Sequence, residues 1–249
     1  MALMNGKEKK FVTIDYKGTI IYNADGNISH GSHNSELTRD ILESTLALNL
    51  RNLVKKRDIS VYLAIPSSLR EGLLGTKEVP FNDLEAKAID IFKKLEITDY
   101  AILSIPQAAL YSCEVPNRDH ESSDRNPWEF SVVWDKSSVD MALLRDRKVK
   151  EYANSRTVKD SFDVSSLLKD IFLRITEADS KIVVDASENI VLSGDHPHLE
   201  RLRWALEAKF DAGVYQAPNP ERAVLDGLMR YAKKTNPLTD LITIARSII

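Results

Sequence analysis

The residues that could do chemistry begin with five histidines and one cysteine. His30 and His33 flank Gly31-Ser32, and His196 and His198 alternate across Pro197. Neither pair has the i, i+4 spacing that sets two imidazoles on one helix face, nor carboxylates at a matching interval, so both read as loop histidines rather than zinc ligands. Cys113 stands alone, which excludes an internal disulfide and a thiolate cluster and suits a reducing compartment. Ser67-Ser68 follows Ile65-Pro66 without the Gly-x-Ser-x-Gly surround of a nucleophile elbow. Lys55-Lys56-Arg57 reads as a solvated helix end that complements the helix dipole. That leaves two aspartates, Asp15 and Asp135, each at the end of an apolar stretch with a lysine one or two residues on.

The elements that must position them follow from the apolar pattern. Residues 10–16 and 19–23 read as a hairpin about Lys17-Gly18, with an Asp25-Gly26 turn behind it. Leu37, Ile41, Leu46, Leu50 and Leu53 recur at helical spacing over 36–56, with Ser35 as the cap. A continuous apolar strand at 61–65 is followed by a helix marked by Leu84, Ala88, Ile91, Phe92 and Leu95 and capped by Asn82 or Asp83. A buried strand at 100–105 and a short helix from Gln107 complete the first series. Residues 114–128 are polar, carry two prolines and read as an exposed linker.

Beyond the linker the order begins again. Strands are expected at 130–134, 141–145 and 149–152, then a helix at 162–174, a strand at 189–193, a helix at 197–210, a strand at 213–215 and a helix at 220–233. Asn219 would cap that last helix and Pro220 suits its first turn. Asp15 and Asp135 end the first strand of each series, so the chain reads as two similar halves. A single doubly wound sheet would show a comparable alternation and stays open at this point.

The chain has 249 residues, 43% of them hydrophobic and 29% charged, as expected of a globular protein with one large domain or two small lobes. A net charge of −3 gives no overall attraction to nucleic acid or anionic membrane, so neither is expected as a partner. The start turns charged after four residues and no apolar run reaches the length that crosses a bilayer, so a cytoplasmic protein is expected, the nucleus being the alternative.

Four segments, in order, resemble the superfamily of actin, the seventy-kilodalton heat-shock chaperones and the sugar kinases. FVTIDYKGT at 11–19 resembles its first phosphate loop and SVVWDKSSVDMALL at 131–144 its second. NIVLSGDHPHLERLRWALEAKF at 189–210 is similar to the adenosine-loop strand and helix, and APNPERAVLDGLMRYA at 217–232 to the closing Asn-Pro-x-x-Ala-Val-x-x-Gly helix. LEITDYAILSIPQAALYS at 95–112 is similar to the segment that closes the first lobe.

The resemblance implies an α/β, two-lobed actin-like (ribonuclease-H-like) ATPase fold: a first lobe over 1–113, a linker at 114–128, a second lobe over 129–235 and an apolar tail at 236–249. It places an ATP cofactor with magnesium against Asp15, Lys17, Gly18, Thr19, Asp135, Lys136, Ser137, Ser138, Gly194 and Asp195. Asp15 and Asp135 would hold the metal through its waters, as hard carboxylate ligands do. Gln107 is the one catalytic candidate, as a residue orienting water, with a helix cap as its other reading.

The same residues depart from that pattern. Gly18 comes one position late, Lys136-Ser137-Ser138-Val139-Asp140 carries no glycine in a shortened loop, and Asp195 replaces a glycine with a negative charge. Too few residues lie at 23–35 and between the helix at 162–174 and the strand at 189–193 for the large peripheral subdomains of the resembled ATPases. These departures lead to the expectation of a degenerate ATPase, non-catalytic or weakly nucleotide-binding, whose cleft holds no cofactor, or ATP with magnesium where it is still competent, and which acts as a scaffold or assembly subunit. Protein subunits are its expected partners, through Leu238, Leu241, Ile242, Ile244, Ala245, Ile248 and Ile249 of the tail or by self-assembly, the tail's other reading being that it packs back on its own lobe. The alternative is a nucleotide-dependent filament protein; a third is a small-molecule kinase with Asp140 or Asp83 as base.

Overall fold

The computed structural model describes residues 10–14, 20–23, 59–66, 83–113, 128–136, 138–155, 164, 167–171, 173, 189–210 and 214–235. The helix expected at 36–56, the linker interior, the tail at 236–249 and both positions of the missing subdomains lie outside these residues or largely so.

The apolar runs form two sheets. The first comprises β1 (Lys10–Ile14), β2 (Ile20–Asn23), β3 (Ile59–Ile65) and β4 (Asp99–Ser104), in the order β2-β1-β3-β4. The second comprises β5 (Trp128–Trp134), β6 (Val139–Arg145), β7 (Lys148–Ser155), β8 (Ile190–Ser193) and β9 (Val214–Gln216), in the order β7-β6-β5-β8-β9. β1 pairs antiparallel with β2 and parallel with β3, which pairs parallel with β4. β5 stands in the same relation to β6, β8 and β9, so the two halves share one topology, with β7 added at the edge of the second. Two sheets replace the single doubly wound one left open by the sequence.

The helices repeat as well. α1 (Asp83–Lys94) joins β3 to β4 as α3 (Leu199–Phe210) joins β8 to β9. α2 (Ile105–Ser112) follows β4 as α4 (Ala223–Thr235) follows β9. Residues 164, 167–171 and 173 are helical, within the helix expected at 162–174. No helix among the described residues is long and apolar enough to cross a membrane.

Alternation along each strand of the second sheet divides its side chains between two cores. Phe130, Val132, Trp134, Met141, Leu143, Ile190 and Leu192 face Leu199, Leu202 and Leu206 of α3, together with Val164, Leu168 and Ile171. Val133, Ala142, Leu144 and Val191 point the other way, into a core shared with Tyr62, Ala64 and Leu103 of the first sheet. Each fully buried aliphatic or aromatic side chain stabilises the fold by roughly 1.5–3 kcal/mol.

Between the sheets the closing helices are exchanged. α2 packs against β5 and β6 of the second sheet, whereas α4 packs against β1 and β3 of the first, and the two helices pack on each other. At their crossing a Cβ on Gly227 would lie 1.7 Å from the carbonyl oxygen of Ala108. Glycine inside a helix ordinarily costs about 0.5–1 kcal/mol against alanine, yet no larger residue fits here. Tyr231 of α4 then meets the edges of Tyr62 and Tyr111, with ring centroids 5.9 and 5.1 Å away.

The β6–β7 turn ties this layer to the second sheet. Asp146 and Arg147 both take the left-handed backbone (φ 55° and 60°), as a two-residue hairpin turn requires. Arg147 lies 5.0 Å from the Tyr111 ring and 3.4 Å from the buried Glu129 carboxylate. Burial raises the Glu129 carboxyl above the ordinary range, and the Arg147 charge opposes that rise.

Three expectations need correction. Trp128 is not linker but the first residue of β5, paired with Arg145. Asn219 makes no side-chain cap; a 3₁₀ turn at Pro220–Arg222 precedes α4, and the Asn219 carbonyl accepts the Arg222 amide at 3.0 Å. That turn satisfies the free amides locally, so the asparagine side chain is not needed. β7 also runs to Ser155, beyond the stretch at 149–152, because pairing with β6 carries a less apolar sequence along.

Gly227→Ala is expected to destabilise the fold by about 1–3 kcal/mol, the steric cost exceeding the gain in helix propensity. Urea unfolding followed by far-UV circular dichroism measures this; an unchanged or raised midpoint would show that the crossing has room.

Candidate functional site

Parallel pairing fixes where the candidate residues meet. Val133 and Ser193 are in register on β5 and β8, so Trp134-Asp135 and Gly194-Asp195 leave the sheet side by side at its carboxyl edge. Crevices at that edge are where open α/β sheets bind ligands. The carboxyl ends of β3 and β4 face the same place: Pro66 and Ile105 line a cavity of about 30 Å³ with Val133, Asp135, Ser138, Val139, Asp140, Asn154 and Ser155.

Asp135 is 6% exposed, and its amide donates to Ser138 O at 2.8 Å. This bond closes the β5–β6 connection with only Lys136 and Ser137 between. The Lys136 amide donates to Asp195 Oδ1 at 3.1 Å, and the Asp195 amide donates to Asp135 Oδ1 at 3.2 Å. Each carboxylate therefore accepts an amide from the other's loop. Hydrogen bonds to charged acceptors are worth about 1.5–3 kcal/mol each, and this pair clasps the two strand ends.

Gly194 sits under the clasp with φ 118°, and a Cβ there would stand 2.0 Å from Trp134 O. Its amide donates to Pro220 O at 2.8 Å, which ties the corner to the turn before α4. The next residue but one, His196, donates its amide to Trp134 O at 3.1 Å and lays its ring on the Trp134 indole, centroids 3.7 Å apart and 10° from parallel. His196 Nδ1 accepts the His198 amide at 3.2 Å. Burial lowers the His196 pKa below the ordinary imidazole value, His198 acts the same way, and Asp195 opposes them.

Of the residues read from sequence, Asp135, Lys136, Ser138, Gly194 and Asp195 are thus brought together. Asp15, Lys17, Gly18, Thr19 and Ser137 lie outside the described residues. Gln107 stands in the helix-cap role: its amide donates to Ser104 Oγ and its Oε1 accepts the Ser104 amide, both at 3.2 Å, which closes a capping box at the start of α2. His196 is a loop histidine, as expected, and it is buried against Trp134; a glycine-containing turn followed by histidine gives no periodic signal for such a stack. Asp140, read from sequence as a kinase base, lines the cavity, and the β6–β7 register brings Asn154 and Ser155, which were not grouped with the site, beside it. No group of three or more histidine, cysteine or acidic residues among the described residues is placed to hold a metal ion.

The Lys136 and Asp195 amides are both taken by carboxylates of the chain. A phosphate cradle needs amides free to point at the ligand, whereas the Lys136 amide is held by Asp195 and the Asp135 carboxylate by the Asp195 amide. In Asp195, moreover, the corner carries a carboxylate that repels phosphate.

No family model and no curated protein matches the sequence. Solved structures do match. MreB5 of Spiroplasma citri bound to ADP superposes with a TM-score of 0.56 at 9% identity, over 91% of this chain and 97% of that one. A non-polymerising MamK mutant bound to AMPPNP gives 0.53 at 10% identity, over 91% and 99%. The Alp12 filament structure gives 0.50 at 12% identity, over 92% and 100%. The fold is actin-like. The corner falls within residues 131–144 and 189–210.

His196 makes the stability of this actin-like corner depend on pH. Its folded pKa is depressed, so the unfolded chain binds the proton more readily, and stability falls as pH drops through the ordinary imidazole value. Glu129, with a raised folded pKa, acts in the opposite sense, so the comparison needs a variant. His196→Phe, which keeps an aromatic ring on Trp134, is expected to lose part of the fall in urea midpoint between pH 7.5 and 5.5 (roughly one unit either side of that value). An identical fall in both proteins would remove His196 as its source.

Proposed function

We propose that this actin-like chain is an assembly subunit whose work is done by protein contacts, without nucleotide turnover. The observation that carries the reading is the mutual clasp of Asp135 and Asp195, which uses the Lys136 amide and the Asp135 carboxylate within the protein. The similarity to the Alp12 filament structure favours assembly as the theme. Trp204, 60% exposed on α3, is an aromatic of the kind that anchors protein contacts. Other copies of this chain or other protein subunits are the partners of this reading, and the cytoplasm is its compartment.

A nucleotide-dependent filament protein is the second reading, favoured by the similarity to MreB5 bound to ADP. The two separate cleanly. Titration calorimetry with Mg-ATP is expected to show no saturable binding up to about 1 mM, a free energy near −4 kcal/mol. Light scattering and electron microscopy are expected to show the same assembly with and without ATP. Tight binding with hydrolysis, or assembly that appears only with ATP, would replace the first reading by the second.

A further inference from the structure

Asp195 contributes two bonds to the clasp, and they respond differently to substitution. Its amide donates to Asp135 Oδ1 at 3.2 Å, a bond that any residue but proline can make. Its Oδ1 accepts the Lys136 amide at 3.1 Å, and that bond needs this side chain. The Lys136 amide faces the surface, the Lys136 side chain is exposed, and the anion it meets is a carboxylate of the same chain.

A phosphate oxygen and a carboxylate oxygen ask the same of a backbone amide: donation to a negatively charged acceptor. A tethered carboxylate competes at an effective concentration in the millimolar range or above, and it adds like-charge repulsion against any free anion. We infer that Asp195 is an internal plug, a carboxylate that occupies the amide a phosphoryl group would otherwise take and so sets the corner against phosphate esters. This rests on the reading of a cleft that does not bind nucleotide, and it assigns much of that refusal to one side chain.

The arrangement makes the plug separable from the rest of the corner. Gly194 is held by Pro220 O and by its close approach to Trp134 O, and His196 by Trp134 O and the indole face. None of these contacts uses the Asp195 carboxylate. Asp195→Ala therefore retains the Asp135 bond while freeing the Lys136 amide and removing one negative charge.

The test is titration of wild type, Asp195→Ala and Asp195→Asn with Mg-ATP, with urea midpoints to confirm folding. Asp195→Ala is expected to bind at least about tenfold more tightly than wild type. A folded Asp195→Ala that binds no better overturns the plug and leaves the non-binding reading standing. Tight binding by the wild type overturns that reading itself. Asp195→Asn keeps an acceptor on the amide and loses only the charge, so a gain as large as that of Asp195→Ala overturns occupation of the amide as the cause; should Asp195→Ala not fold, Asp195→Gly takes its place, because it too frees the Lys136 amide.

Discussion

Two helices cross between the sheets with no side chain separating them. At Gly227 the space a Cβ would need is filled by the Ala108 carbonyl, so α2 and α4 meet backbone against backbone. Because α2 lies on the second sheet and α4 on the first, this one approach fixes the distance between the sheets. Widening it by even a methyl group would loosen the core that Val133, Ala142 and Val191 share with Tyr62, Ala64 and Leu103. The crevice at the carboxyl ends of both sheets inherits its width from the same contact. Close-packed interiors transmit such strain rather than absorb it.

The crevice is closed in a second way, by polar groups rather than apolar ones. Asp135 and Asp195 bring two negative charges to neighbouring strand ends, an arrangement that is unfavourable unless each finds donors. Each finds a backbone amide from the other's loop. The His196 ring stacks on the buried Trp134 indole, and burial favours the neutral imidazole there.

Much of this was legible in the sequence, and the limits are physical. The strands were readable because buried parallel strands are continuous apolar runs, and the repeat because both halves place an aspartate after the same kind of strand. The aspartate at 195 in place of glycine signalled conflict with phosphate. Its partner was not readable, because the Lys136 amide comes from residues 59 positions away and is brought near only by β5–β8 pairing. Gln107 could be read as cap or catalyst, and only geometry separated the two. The packing role of Gly227 was hidden for the same reason: glycine in a helix looks like a defect until the helix that crosses it is known.

The glycines that the structure describes as tightly enclosed have one thing in common. Gly194 and Gly227 each lie where a Cβ would collide with backbone from another element, so each is required by packing within the chain. The positions after Asp135, where a phosphate cradle calls for glycine, carry lysine and serine instead. An actin-like protein that binds nucleotide gains folded-state stability from the ligand in proportion to its occupancy. Here the crossing helices, the clasp and the aromatic stack supply the corresponding constraints from within. On the proposed reading such a fold holds one arrangement of its two sheets without nucleotide, and a fixed arrangement is what an assembly subunit needs.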